Sequence, residues 1–381
     1  MTDLWTCLAN AHREGRPIVM YGMGNGADKI LAVCEHYGIA VSDFFASDGF
    51  VRGHSFHGKT VLSFSDVCEK YGTDNLIVLL SFASSRPEVL SLIESVAARC
   101  ELYAPDVPVC GEELFDRAFY NAHSDEIAAA RSLFADEESR RVYDGIIEYK
   151  LTGCIDILRA TESSPAAAYR DILHAERFAT AADLGAYNGD SIRELRTYAP
   201  SLTHAIAMES DRRNYRKLTE YAESLREAGD PLRVWALNEG AWSEPTVLTF
   251  HDSGNRNAGV CKAPAAKTAS PLPSTADNKF FGKVVEVTVN ALDNVIAATV
   301  GTDTRIDYVK YDVEGAEREA LLGSRNTILR DSPALLVSAY HRSADLFSLP
   351  LLVHDLNPNY RLYLRRTAGI PAWDINLYAV V

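Results

Sequence analysis

An acid, two glycines and two residues that favour helix caps lie within one short stretch, Asp183-Leu184-Gly185-Ala186-Tyr187-Asn188-Gly189-Asp190-Ser191. Small apolar residues precede it and helical spacing begins at Ile192, which predicts a strand, a turn and a helix capped by Asp190 and Ser191. Glycines let a ligand approach the backbone, and the free N–H groups of a helix start face that ligand. An Asn-Gly hairpin would need a second strand after the turn. We therefore predict a cofactor-binding loop.

Four further polar side chains follow predicted strands in the same half of the chain: Glu209, Asp312, Glu314 and His341. In an open α/β sheet, ligands bind beyond the carboxyl ends of the strands. We therefore expect these side chains to gather around the Gly185 loop. Each also has a structural explanation when taken singly, because strand-end acids cap helices and a lone histidine is commonly structural.

The elements that position these residues alternate along the chain from Phe178. Buried strand patterns and amphipathic helix patterns follow one another, which is the order of an α/β sheet. The apolar runs at 360–365 and 375–380 are typical of a terminal antiparallel ribbon. About seven strands with helices between them are predicted.

Between residues 241 and 295 the chain departs from this alternation. Val247–Phe250 and Val284–Val289 are typical of paired strands, and the segment between them is rich in Ala, Pro, Ser and Thr. Long loops in compact domains commonly act as lids or bind substrate. We expect residues 253–282 to be mobile and to set acceptor specificity.

A second glycine-rich loop lies near the start of the chain. The strand pattern at 18–21 leads into Gly22-Met23-Gly24-Asn25-Gly26 and a helix, and Asp48 follows the next strand, where a ribose-binding acid is expected. The third glycine of the usual G-x-G-x-x-G spacing is missing. We predict a small doubly wound domain, for which nucleotide binding and a purely structural role are both open.

These patterns divide the chain into three regions. A Rossmann-like N-terminal domain is predicted at residues 1–111, a helical connector at 112–177, and a larger α/β domain at 178–381. The connector is charged, with apolar residues at helical spacings, and the break at 162–166 precedes its last helix.

The composition, 47% hydrophobic and 24% charged over 381 residues, is that of a globular protein. The 38 Lys and Arg against 52 Asp and Glu give a net charge of −14, which disfavours nucleic acid and anionic membranes as partners. Seven cysteines without a C-x-x-C pair indicate a reducing compartment and no zinc site. With no signal or membrane-spanning pattern, we expect a cytoplasmic protein that acts on a small molecule or saccharide. The oligomeric state is not predicted.

At these residues the chain resembles the FkbM family of S-adenosylmethionine-dependent methyltransferases. The resemblance runs from about Phe178 to the C-terminus, and the stretch from Ala182 to Ser191 matches the family's first motif. More specific is the run Ile306-Asp307-Tyr308-Val309-Lys310-Tyr311-Asp312-Val313-Glu314-Gly315-Ala316-Glu317. Residues 338–341, 345–346, 349–351 and 357–360 are similar to one branch of the family. The N-terminal domain lies outside this match and only weakly resembles nucleotide-binding domains found beside sugar-modifying enzymes.

The resemblance implies a class I methyltransferase fold, a Rossmann-like seven-stranded sheet preceded by the smaller domain and the connector. It implies S-adenosylmethionine as cofactor and methylation of a hydroxyl on a sugar, polysaccharide precursor or related metabolite. The loop would accept the amino-acid end of the cofactor, Glu209 the ribose hydroxyls, and Asn238 or Glu239 the adenine edge. The cofactor-binding residues implied are Asp183, Gly185, Tyr187, Asn188, Gly189, Glu209, Asn238 and Asp312.

Methyl transfer to a hydroxyl requires positioning of the oxygen and removal of its proton. We expect His341 to be the base, because an ordinary histidine pKa of about 6.5 leaves a neutral fraction at cytoplasmic pH. Asp312 and Glu314 are the alternative catalytic groups. The two acids could instead hold Mg²⁺ or cap a helix near Gly315, and a metal is not the favoured interpretation.

Two other functions fit the sequence. The Gly22 loop and Asp48 would suit a nicotinamide-dependent sugar oxidoreductase. A non-catalytic assembly protein with two nucleotide-type folds is the third hypothesis.

Overall fold

The computed structural model describes residues 3–51, 53–252 and 283–381 of the chain. The segment 253–282, for which mobility and a role in acceptor specificity are predicted, lies outside these residues. Among the described residues, no helix combines the length and apolar character needed to cross a lipid bilayer.

The N-terminal region forms a five-stranded parallel sheet in the order β5-β2-β1-β6-β7. Its helices lie between the strands along the chain, which confirms the predicted doubly wound arrangement. The elements are β1 (Ile18–Tyr21), β2 (Asp43–Ala46), β3 (Ser55–Phe56), β4 (Lys59–Thr60), β5 (Leu62–Ser63), β6 (Ile77–Leu80), β7 (Glu101–Tyr103), α1 (Leu4–Arg13), α2 (Asn25–His36), α3 (Phe64–Tyr71) and α4 (Pro87–Ala97).

A run of helices follows, as the charged pattern with helical spacing predicts. They are α5 (Arg117–Ala122), α6 (Ser124–Leu133), α7 (Glu137–Thr152), α8 (Ile155–Ala160) and α9 (Pro165–Ala167), then a π-helical turn (Ala168–Ile172) and a 3-10 turn (Ala175–Arg177). Gly153 ends α7 in the left-handed conformation, with φ of 66°, which a glycine adopts without steric cost.

The C-terminal half forms a seven-stranded sheet in the order β10-β9-β8-β14-β15-β17-β16, and only β17 runs antiparallel to its neighbours. Its strands are β8 (Thr180–Leu184), β9 (His204–Met208), β10 (Arg233–Leu237), β14 (Tyr308–Tyr311), β15 (Ala334–Ser338), β16 (Arg361–Arg366) and β17 (Ile375–Val380). The predicted fold class and the terminal ribbon are confirmed. The chain order reverses between β8 and β14, so their carboxyl ends form the switch point at which such sheets bind ligands.

The remaining C-terminal elements cover or extend this sheet. They are α10 (Asp190–Tyr198), α11 (Arg212–Glu227), α12 (Leu292–Thr299), α13 (Glu317–Leu322), α14 (Arg325–Asp331), α15 (Asp345–Leu356), β11 (Gly240–Ala241), β12 (Thr246–Asp252) and β13 (Lys283–Asn290). β12 and β13 pair antiparallel, which confirms the predicted pair. The helix after the Gly185 loop begins at Asp190 with Gly189 as its N-cap, two residues before the predicted start, so Asp190 and Ser191 are its first residues rather than its caps.

The connector packs against both sheets. Tyr149 on α7 donates a hydrogen bond to the carbonyl of Ala104 beyond β7 (2.7 Å), and Ser139 at the other end of α7 accepts one from the N–H of Leu364 in β16 (3.0 Å). One hydrophobic cluster of the core includes buried residues from all three regions, among them Val78, Ile146 and Val309. The boundaries at 111 and 177 stay a prediction.

Candidate functional site

The carboxyl end of β8 and the loop after it form the first part of the site. Asp183 lies near the end of β8, and residues 185–189 turn the chain into α10. Lys310 of β14 is the register partner of Asp183, and its ammonium donates to Ser191 Oγ (2.9 Å) and pairs with Asp312 (3.0 Å). The loop and the neighbouring strand end are therefore joined by one partly buried cation.

The two glycines of this loop are required by packing. Gly185 has φ of 91°, and a Cβ there would lie 1.9 Å from the carbonyl oxygen of Asp312. Gly189 has φ of 84°, and a Cβ there would lie 2.6 Å from the ring of Tyr221. Because L side chains are strained at such φ values and no space exists for a methyl group, glycine is needed at both positions whether or not a ligand is bound.

Asp183 is a buried acid whose carboxylate makes no hydrogen bond to the described residues. It is 4% exposed. Burial raises the pKa of Asp183 to about 6, against the opposing effect of the Lys310 charge. A carboxylate in this state favours a cationic or hydrogen-bond-donating ligand beside it.

Glu209 follows β9 and fixes the loop. Its two oxygens accept hydrogen bonds from the N–H groups of Tyr187 (2.8 Å) and Asp211 (2.7 Å). Burial raises the pKa of Glu209 to about 7, although these hydrogen bonds oppose the rise. Tyr187 has φ of 48°, unusual for a residue with a side chain, and its ring is 44% exposed. The Tyr187 ring is therefore free of the core at the edge of the loop.

Asn238 lies just after β10, where the resemblance places the adenine edge. Its side-chain amide donates to the carbonyls of Glu209 (2.9 Å) and Ser210 (3.1 Å), which ties the ends of β9 and β10 together. Glu239 instead accepts from the side chain of Asn290 in β13 (3.0 Å). Of the two candidates, Asn238 is the one that contacts the Glu209 backbone.

The second part of the site is an acid-rich loop after β14 that meets the segment after β15. Nε2 of His341 lies 3.8 Å from an oxygen of Asp312 and 3.5 Å from an oxygen of Glu314, and Nδ1 lies 2.9 Å from an oxygen of Glu317. His341 and Glu317 are each 1% exposed, whereas the Glu314 side chain is 45% exposed. The structure thus brings together the three predicted catalytic residues, with Glu314 outermost.

These charges change the expected protonation state of His341. Burial alone would lower the pKa of His341, but the carboxylates of Glu317, Asp312 and Glu314 together raise it to about 10. Burial raises the pKa of Asp312, yet the charges of Lys310 and His341 outweigh this and bring it down to about 2. The premise of a neutral His341 is therefore wrong for this arrangement, because an imidazole among three carboxylates retains its proton.

Glu317 is a member of the cluster that was not among the predicted site residues. One of its oxygens accepts hydrogen bonds from the N–H groups of Val313 (3.0 Å) and Gly315 (3.3 Å), so it holds the loop that carries Glu314. Glu314 itself has φ of 52°. Glu317 lies at the start of a helix, where an acid interacts favourably with the helix dipole, so its residue type does not point to a functional site. The one signal in the sequence was its place in the run 306–317 that resembles the family.

The end of the N-terminal region supports this loop. The N–H of Cys110 donates to the carbonyl of His341 (2.8 Å), and its thiol donates to the carbonyl of Glu314 (3.1 Å). The guanidinium of Arg342 donates to the carbonyl of Gly315 (2.9 Å). The conformation of the acid-rich loop thus depends on residues about 200 positions away in the chain.

The Gly22 loop forms a separate feature. It borders a cleft of about 360 Å³ that also includes Phe82 and Trp373 in its lining. Asp48, the predicted ribose-binding acid, instead accepts hydrogen bonds from the N–H of Phe64 (2.9 Å) and the hydroxyl of Ser65 (2.9 Å) at the start of α3. Helix capping therefore accounts for Asp48, and the nicotinamide hypothesis loses the acid on which it depended.

Comparison with known proteins finds a family match in the C-terminal half. Residues 183–366 match the methyltransferase FkbM domain. Among solved structures, a methyltransferase FkbM from Methylobacillus flagellatus KT is similar with a TM-score of 0.71 and 17% identity, over 99% of this chain and 94% of that chain. The match extends through the N-terminal region and the connector, so the two chains share their fold nearly throughout.

Weaker similarities involve other methyltransferases. Precorrin-6y C5,15-methyltransferase from Geobacter metallireducens GS-15 has a TM-score of 0.31 and 9% identity, over 56% of this chain and 86% of that chain. Fibrillarin from Aeropyrum pernix, in complex with natively bound S-adenosyl-L-methionine, has a TM-score of 0.31 and 11% identity, over 54% of this chain and 68% of that chain. No curated protein sequence matches the chain.

Proposed function

We propose that this protein transfers a methyl group from S-adenosylmethionine to a hydroxyl of a sugar, polysaccharide precursor or related metabolite, since residues 183–366 match the methyltransferase FkbM domain. The observation that carries the cofactor assignment is the buried carboxylate of Asp183, which lacks a hydrogen-bond partner among the described residues. It lies at the switch point of the sheet, beside the acid-rich loop.

The residues of the Gly185 loop fit this cofactor. When bound, S-adenosylmethionine supplies a methyl group on a positively charged sulfur. Asp183 and Glu209 place two buried carboxylates at adjacent strand ends, where they would attract the cationic and hydroxyl groups of the ligand. Tyr187, Asn188 and the amides at the start of α10 would surround its amino-acid end. Asn238 would border the adenine.

The acid-rich loop would receive the acceptor. Gly185 contacts the carbonyl of Asp312, so the methyl donor and an acceptor at this loop would be neighbours. Glu314 is the most exposed carboxylate of the cluster, so it would be the one that a bound hydroxyl meets. In this proposal Glu314 accepts the hydroxyl proton while the oxygen displaces the thioether from the methyl carbon. His341 and Glu317, which are buried, hold the loop in position.

The acceptor class rests on two features. The net charge of −14 disfavours polyanionic acceptors, and a hydroxyl requires the proton acceptor that Glu314 offers. A neutral saccharide meets both conditions. We also propose that the protein acts in the cytoplasm, where the cofactor is available and cysteines stay reduced.

Isothermal titration of the full chain with S-adenosylhomocysteine tests the cofactor assignment. Binding is expected, and Asp183→Asn and Glu209→Gln should weaken it at least about tenfold, since each removes a charge-assisted contact. Glu223→Gln removes an exposed carboxylate from α11 and is the matched control. Absence of binding, or equal affinity in all four proteins, would refute the proposal.

Isotope-labelled S-adenosylmethionine and a panel of neutral saccharides test the acceptor class. Label should appear on an alkali-stable ether of the sugar. Label found only on nitrogen, carbon or carboxyl acceptors would refute O-methylation and leave the methyltransferase assignment intact.

A further inference from the structure

Three side chains from separate elements converge beneath the acceptor loop. Asp312 follows β14, Glu317 begins α13 and His341 follows β15. Each offers one nitrogen or oxygen atom, and the three atoms lie within 4.8 Å of one another. Ligands of one divalent ion, each about 2.1 Å from it, are up to about 4.2 Å apart, so only a small contraction separates this arrangement from a coordination shell.

The two inner side chains carry buried atoms that lack hydrogen bonds. His341 and Glu317 are each 1% exposed. Nδ1 of His341 faces one oxygen of Glu317 at 2.9 Å, which directs Nε2 toward Asp312 and Glu314 at 3.8 and 3.5 Å. Both ring nitrogens of His341 and Oε2 of Glu317 lack a hydrogen-bond partner of good geometry among the residues in the described ranges. Buried polar atoms of this kind are costly unless something binds them.

The charges around these atoms also favour a cation. Asp312, Glu314 and Glu317 each approach the imidazole within 4 Å, and Asp345 is 5% exposed and accepts from the N–H of Arg342, next to His341. Lys310 pairs with Asp312 and also donates to the hydroxyl of Ser191 at the start of α10. Carboxylates therefore outnumber the cations that face the imidazole.

We propose that Asp312, Glu317 and His341 bind a divalent metal ion. His341 is protonated in the metal-free protein, so the ion displaces a proton from the imidazole to solvent as it binds. The role given to the ion rests on the proposed function. Two carboxylates and one imidazole suit Mn²⁺ or Mg²⁺ with water completing the shell, and the mixture of oxygen and nitrogen ligands favours Mn²⁺ of the two. Glu314, at the open side, remains the proton acceptor.

The metal ion would act on the acceptor at the moment of methyl transfer. A hydroxyl bound to it would have a lowered pKa and would be held in place. The proton passes to Glu314, the new oxygen–carbon bond forms, and the electron pair of the carbon–sulfur bond goes to sulfur. No oxidant or reductant is involved.

Mn²⁺ titration of the full chain, followed by the electron paramagnetic resonance signal of the free ion, tests the site directly. About one ion should bind per chain, and Mg²⁺ should compete. Asp312→Asn, Glu317→Gln and His341→Gln should each weaken Mn²⁺ binding at least about tenfold. Glu319→Gln, which removes a carboxylate from the same helix as Glu317, should leave it unchanged.

Titration of the same samples with S-adenosylhomocysteine separates the two proposals. Wild-type protein that binds S-adenosylhomocysteine but not Mn²⁺ would overturn the metal site and leave the methyltransferase function standing. Wild-type protein that binds Mn²⁺ but not S-adenosylhomocysteine would overturn the methyltransferase function and leave the metal site standing. Equal Mn²⁺ affinity in the wild type and in His341→Gln, with circular dichroism showing both to be folded, would also overturn the site. If one of the three ligand variants does not fold, the Mn²⁺ affinities of the other two test the site.

Discussion

Replacing Asp183 by Asn should stabilise the ligand-free protein increasingly as the pH rises. Asp183 is 4% exposed, and burial raises its pKa from 3.8 to about 6. At about 1.4 kcal/mol per pKa unit, ionisation then costs the folded protein about 3 kcal/mol more than the unfolded chain. The pKa of Asp183 is higher in the folded protein than in the unfolded chain. Its contribution to the stability of the wild type is therefore complete below about pH 4 and is lost as the pH rises through about 6.

The pH dependence separates the charge from other effects of the substitution. An Asn side chain also leaves buried polar atoms, but that cost does not titrate. The difference in free energy of unfolding between Asp183→Asn and the wild type should shift by about 1.5 kcal/mol in favour of the variant between pH 5 and pH 8. The other half of the cost of about 3 kcal/mol already appears below pH 5. The same variant should lose affinity for S-adenosylhomocysteine, so a stabilising change would impair function.

Urea unfolding of the ligand-free proteins, measured by circular dichroism at several pH values from about 5 to about 8, provides the free energies. Glu223→Gln, at an exposed position, controls for the loss of one carboxylate and should show no pH-dependent difference from the wild type. A difference between Asp183→Asn and the wild type that stays constant across this range would refute the argument, because it would mean that Asp183 is not strained by burial.

Two further predictions concern the loop and the acceptor site. Gly185→Ala should lower the free energy of unfolding by about 3 kcal/mol or more, from the positive φ and the clash with the Asp312 carbonyl. Gly38→Ala, at φ of 68° with no described atom within 4 Å of its Cβ, should cost only about 1 to 2 kcal/mol. Equal losses in urea unfolding would contradict the clash. His341→Ala should lower kcat by about 10²-fold, because it removes the side chain that positions the Glu314 loop, with little change in S-adenosylhomocysteine affinity by titration. An unchanged kcat would remove the buried cluster from the acceptor site.

Sequence patterns predicted the elements of the C-terminal sheet because buried strands and amphipathic helices have different hydrophobic periods. The Gly185 stretch shows this well, since the apolar run, the glycines and the helical spacing are all local. The start of α10 was misplaced by two residues because Asp190 and Ser191 have the side chains of caps, whereas Gly189 holds the N-cap position by its backbone conformation alone. Helix ends depend on such conformations more than on residue type.

The candidate site was predictable as far as strand ends could be located. Parallel strands bring their carboxyl ends to one edge, so Asp183, Glu209, Asp312 and Glu314 could be assigned to it from the sequence alone. The ionisation of His341 could not be assigned, because it depends on three carboxylates at 2.9 to 3.8 Å, one of which, Glu317, has an ordinary local explanation as a helix-start acid.

The sequence by itself determined the fold class, the glycine loop and the identities of the strand-end acids, since these follow from local periodicity and residue type. Only the tertiary structure decided that the glycine at 185 admits the Asp312 carbonyl, that Cys110 supports the Glu314 loop, and that His341 is surrounded by acid. These are distances between segments far apart in the chain. Packing sets them, and both the clash of a Cβ and the pKa of a buried group change steeply over one or two ångströms.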